Sequence, residues 1–175
     1  MSRQAGFTLV ELVAVVCLLS LLLAATAVLV RQPHLGVHRA RQVELMLSYD
    51  RSARRRAERD GRPYLLRYDL DANTVGLFFG REGRRSVLPL VRPGYGIRIA
   101  AVRPVGGRTI RSGRVEIPID RWGASTTYGL ELREAGTRSS RYIVAGVSGK
   151  IEQVATEAEM IRVLEELQKY GNDTD

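Results

Sequence analysis

The residue that most constrains this chain is Glu11, a carboxylate set one turn inside an apolar run that spans residues 7–30. Those 24 residues contain no other charge and neither Gly nor Pro. As a helix they rise about 36 Å at about 1.5 Å per residue, enough to cross a hydrocarbon core about 30 Å thick. A carboxylate costs about 2.5–3.5 kcal/mol at the centre of a membrane helix and less near its interface. A chain that keeps Glu11 there needs a cation for it.

The flanks narrow the choice further. The leader, residues 1–6, holds one side-chain charge, Arg3, and ends in Gly6. A secretory signal is cut after its apolar core, at a small-residue site. Here the attractive cleavage point, Gly6, precedes the core, so cutting there leaves the helix on the mature protein. A lipoprotein reading of Cys17 fails, because Ala14-Val15-Val16 lacks a small residue directly before the cysteine. A plain signal anchor with a stray Glu is the simplest alternative.

Gly6-Phe7-Thr8-Leu9-Val10-Glu11-Leu12, followed by the apolar helix, resembles the start of type IV prepilins and pseudopilins. The resemblance implies that a prepilin peptidase cuts between Gly6 and Phe7 and N-methylates Phe7. It also implies that the helix packs beside those of other pilin or pseudopilin subunits. Physical chemistry is consistent with this. Cleavage gives Phe7 an α-amino cation, Glu11 lies four residues on along the same face, and the helix dipole favours a carboxylate there. In a low-dielectric setting, pairing with its own terminus or a neighbour's is far better than none; the resemblance implies the neighbour. Arginine counting, with Arg3 before the run and Arg31, Arg39 and Arg41 after it, favours an N-terminus outside. The resemblance implies the reverse: a single pass through the inner membrane, the C-terminal domain in the periplasm or extracytoplasmic space, and later extraction into a filament.

Beyond residue 30 the chain has room for one small soluble domain. Formal net charge is +8, and Lys150 and Lys169 are its only lysines. Such Arg richness permits anionic partners and also fits a codon bias. With Cys17 as the only cysteine, no intramolecular disulfide forms.

Residues 31–62 read as an amphipathic stalk helix, with a kink or break near Pro33 and freedom at Gly36. Val43, Met46, Leu47, Ala53 and Ala57 form an apolar stripe, and arginines including Arg51, Arg54 and Arg55 cover the rest. Gly61 and Pro63 are stop signals. Residues 63–154 read as an antiparallel β domain, with strands at 64–68, 74–79, 86–91, 96–102, 114–117, 128–133, 142–145 and 150–154. Residues 69–73 form a turn and Ser148-Gly149 turns a hairpin. Residues 155–175 form a short helix, opened by the capping-box spacing Thr156-Glu157-Ala158-Glu159, and a polar tail. This acidic helix is expected to dock on the stalk or on a partner subunit. The fold class is therefore α+β: a long N-terminal helix packed on an antiparallel β domain, with a short C-terminal helix.

The layout from Leu45 to Asp69, with Arg54, Ala57, Gly61 and Pro63, and the strands near 117–123, 130–132 and 143–151 resemble the GspH/FimT group of minor pseudopilins and minor pilins. The acidic cluster of a calcium-binding loop, usual in major pseudopilins, is absent between Pro104 and Gly149. The resemblance implies a structural subunit of a type II secretion pseudopilus or type IV pilus-like filament, working with other subunits, an inner-membrane assembly platform and membrane lipid. A rival role is DNA uptake, with Arg81, Arg84, Arg85, Arg108, Arg111 and Arg114 as phosphate contacts. A membrane-anchored protein outside any filament is the third reading. Trp122 reads as a core or edge anchor, or else as a partner hot spot. His34 and His38 stand four apart without a third ligand, so no metal site is expected. No catalytic constellation, phosphate cradle or cofactor motif stands out, and the chain reads as a non-enzyme.

Overall fold

A computed structural model describes residues 9–80, 83, 85–134 and 138–172, the side chains of 24–39 and 170–172 excepted. The chain forms two compact units, Met1–His38 and Arg39–Asp175.

Helix α1 spans Leu9–Asp60, so helical structure continues through Pro33 and the expected break is not there. A proline removes one backbone donor, and a long helix retains its remaining ladder on both sides. Among the described residues no helix is long and apolar enough to cross a membrane; the side chains described in the apolar run end at Leu23. Gly61 ends α1 with φ +59°, the left-handed value of a helix C-cap.

Within the second unit, two antiparallel sheets and the last turns of α1 share one core. The first sheet has the order β2-β1-β4, with β1 Tyr64–Asp69, β2 Thr74–Phe78 and β4 Arg114–Ile119. The second has the order β3-β5-β6-β7, with β3 Arg98–Pro104, β5 Tyr128–Arg133, β6 Ser139–Val144 and β7 Ile151–Val154. Alternation decides the inner face: Tyr64, Leu66 and Tyr68 of β1 and Val115, Ile117 and Ile119 of β4 are buried. They meet Tyr128, Leu130 and Leu132 of β5 and Met46, Leu47, Tyr49, Ala53 and Ala57 of α1. The predicted stripe is thus the packed face of the helix. Asn73 fastens the sheets together. Its side chain accepts from the Ile99 amide at 2.8 Å and donates to the Ile97 carbonyl at 3.0 Å.

The predicted strand at 86–91 does not form. Isolated bridges, Phe78 to Ser86 and Val75 to Val91, and hydrogen bonds linking Ser86 and Val87 to Leu77 hold this segment beside β2 without a continuous ladder. Pro89 in its middle has no amide to give a ladder. At the opposite margin of this sheet β4 presents Pro118, exposed and likewise without a donor.

Helix α2, Glu157–Asn172, is capped as predicted: the Glu159 amide donates to Thr156 Oγ1 at 3.1 Å. Within the chain its apolar face docks on the second sheet and not on the stalk. Its Met160 and Leu164 pack with Ile143 and Val154 on the outer face of the second sheet. Gly129 permits the approach, since a Cβ there would stand 2.6 Å from Met160 Sδ. Covered on both sides, β5 is buried along nearly its whole length.

Candidate functional site

Gly6 and Phe7 lie outside the described residues. Glu11 stands in the first turn of α1, where a carboxylate meets the positive end of the helix dipole, and it is exposed on the single chain. Exposed apolar side chains follow it, including Leu12, Leu18, Leu22 and Leu23, each more than half accessible. Uncovered leucines in such number are a lateral packing surface or a lipid-facing one.

In the second unit the chemistry centres on Arg54. The sequence assigns it to the solvated face of the stalk, but it is only 5% exposed. Its Nε donates to Asp50 Oδ2 at 2.6 Å, one turn back on α1. Its Nη1 donates to the carbonyls of Gly123 and Gly146, and its Nη2 to Ser125 Oγ at 2.8 Å. Asp50 in turn accepts from the Tyr128 hydroxyl at 2.9 Å, and that hydroxyl lies 2.9 Å from the Tyr68 hydroxyl. Burial, together with the nearby Asp50 carboxylate, pushes the Tyr68 phenol well above its ordinary range, and Tyr128 is raised the same way. Asp50 and Arg54 are i, i+4 neighbours inside the apolar stripe, which is the sequence signal for a buried pair.

What this network holds is the turn at residues 120–125. Asp120 Oδ1 accepts from the amides of Trp122 at 2.8 Å and Ala124 at 2.9 Å, as an Asx turn does. Gly123 sits at φ +79°, and the Ser125 amide donates to the Gly146 carbonyl at 2.8 Å. Any Cβ at Gly146 would collide with the backbone of Ser125 and Thr127. At the crest of this fixed turn Trp122 is 72% exposed. It is therefore no core residue; nothing in the tryptophan's local spacing distinguishes the two roles. Beside the turn lies an open groove of about 590 Å³ lined by Pro63, Tyr64, Leu65, Phe79, Pro118 and Ile119, among others.

The six arginines proposed for phosphate do not all stay available. Arg111 pairs with Glu157 of α2 at 2.5 Å and approaches buried Glu131 at 3.7 Å. Arg114 pairs with Asp69 at 2.9 Å, a contact that lowers the Asp69 pKa. Arg85 and Arg108 are exposed, and Arg81 and Arg84 lie outside the described residues. Among the described residues no group of three His, Cys, Asp or Glu side chains stands ready for a metal ion.

Residues 1–27 match the prokaryotic N-terminal methylation motif. No curated protein sequence matches the chain. Two structures of the minor pseudopilin EpsH from the type 2 secretion system of Vibrio cholerae share the fold. One superposes with a TM-score of 0.54 at 12% identity, covering 69% of this chain and 97% of that one. The other gives 0.53 at 12% identity, with coverages of 67% and 96%.

Proposed function

We propose that this type IV pilin-like chain is a minor pseudopilin, a structural subunit of a type II secretion pseudopilus or a related pilus-like filament. One observation carries the reading: an N-terminal methylation motif stands before a minor-pseudopilin fold in a single chain. The role is structural rather than catalytic. A prepilin peptidase cuts after Gly6 and methylates Phe7. The chain then spans the inner membrane once, with its C-terminal domain on the periplasmic side. Other pilin or pseudopilin subunits and an inner-membrane assembly platform are its partners.

Glu11 supplies the specificity of lateral packing. A carboxylate among leucines is costly unless a cation meets it. The Phe7 amine of a neighbouring subunit is such a cation, and it is available only in one axial register. Gly6→Ala should leave the precursor uncut, seen as an unshifted band on a gel. Glu11→Ala should be processed normally yet copurify less with partner subunits. Normal trimming of the Gly6 variant, or undiminished copurification of the Glu11 variant, counts against this reading.

A further inference from the structure

The turn at 120–125 is braced far beyond what a surface connection needs. Two hydrogen bonds from buried Arg54, to the Gly123 carbonyl and to Ser125 Oγ, an Asx turn and a close backbone approach at Gly146 all converge on it. The chief side chain it displays is Trp122, which rests in no core. A large aromatic held rigidly in solvent loses little conformational freedom on binding, and this is the property of an interface anchor.

The surroundings of Trp122 state what kind of partner fits. On one side, Trp122 and Arg121 line a hollow of about 320 Å³ with Glu58 and Gly61. On the other lies the apolar groove, where Phe79 is 53% exposed. Trp122 and Phe79 each have an arginine over the ring. The Arg121 guanidinium lies 4.9 Å from the Trp122 ring centroid, and that of Arg62 lies 6.0 Å from Phe79. Among the described residues neither arginine is in an ion pair, although Glu58 lines the same hollow as Arg121. A guanidinium over an aromatic face keeps N–H donors that can take a carboxylate bidentately. The surface thus offers an apolar trough flanked by two arginines, Arg62 and Arg121, each beside an exposed aromatic ring.

We propose that this surface docks a segment of another protein chain that carries apolar side chains and at least one carboxylate a few residues away. The apolar anchor fills the groove beside Trp122, and the acid pairs with Arg62 or Arg121. The inference concerns the second unit alone and stands whether or not the chain enters a filament.

Trp122 is the only tryptophan in the sequence, so its emission reads the site directly. The probe is a phage-displayed library of random dodecapeptides without tryptophan, selected on the full chain in neutral-lipid nanodiscs. Selected peptides should combine apolar residues with Asp or Glu, and should shift Trp122 emission to the blue. Binding should fall at least tenfold in the Arg62→Gln/Arg121→Gln variant, which keeps a wild-type melting temperature. Arg62→Lys/Arg121→Lys retains charge without the planar fork and should fall between the two. The proposal is overturned if no peptide is enriched, if the selected peptides lack carboxylates, or if they bind the Gln variant equally well. It is also overturned if anionic phospholipid vesicles or duplex DNA, in place of peptide, give the larger emission shift.

Discussion

Arg54 meets Asp50, one turn back on α1, at 2.6 Å, and both side chains are almost fully withdrawn from water. Breaking a buried pair by removing one partner costs about 3–5 kcal/mol, because it strands the other charge. Arg54→Met should therefore lower stability by about 3–5 kcal/mol, read as an earlier urea midpoint. Adding Asp50→Asn should recover part of the loss. Since Arg54 also holds the Gly123 and Gly146 carbonyls, the single variant should lose Trp122-dependent binding as well.

The two buried tyrosines predict an alkaline limit. In the unfolded chain a tyrosine ionises near pH 10, whereas burial keeps Tyr68 and Tyr128 protonated to higher pH in the fold. Above pH 10 the unfolded state binds fewer protons than the folded one, so stability declines as pH rises. Tyr68→Phe should soften that decline while costing about 1 kcal/mol at pH 7 through its lost hydroxyl contact. Chemical denaturation at pH 7 and at pH 10.5, or about that value, checks both parts. An equally steep alkaline loss in the variant would contradict the assignment.

Gly129 gives α2 its seat. A methyl there would press on Met160 Sδ and on Leu164 Cδ1, at 2.6 and 3.2 Å. Gly129→Ala should destabilise the fold by about 1–3 kcal/mol, as overpacking does. Hydrogen exchange should localise the loosening to α2 and β7, and Met160→Ala should relieve part of it.

Removing residues 156–175 uncovers Ile143 and Val154 and takes both carboxylates, Glu157 and Glu165, from their arginines. Burial of Met160 and Leu164 is worth about 1.5–3 kcal/mol for each side chain. The truncated chain should melt several degrees lower and bind a hydrophobic dye. An unchanged melting curve would mean that α2 contributes nothing to the fold.

What the sequence made legible follows from periodicity and punctuation. The apolar stripe of α1, its end at Gly61, the hairpin turn after Asp69 and the capped start of α2 all rest on short-range rules that tertiary context did not override. The misses need long-range knowledge. Arg54 looked like one more solvated arginine until the carbonyls of Gly123 and Gly146, far along the chain, were brought to it. The segment at 86–91 has strand-like residues but a proline where the ladder needs a donor. The seat of α2 was unreadable because Gly129, the β5 residue that meets it, and Glu131, next on the same face, do not look apolar. Cleavage and methylation at Gly6 and Phe7 rest on the motif, since those residues lie outside the described ones.

Pro118 on β4 has a consequence for crowding. A bare sheet margin invites a neighbour's strand to zip on through main-chain amides, and such additions propagate without regard to side-chain identity. Proline near the C-terminal end of that margin denies the incoming strand a donor there. Were copies of this domain crowded together, that edge would resist runaway β polymerisation and leave recognition to side chains, where mutation can tune it one contact at a time.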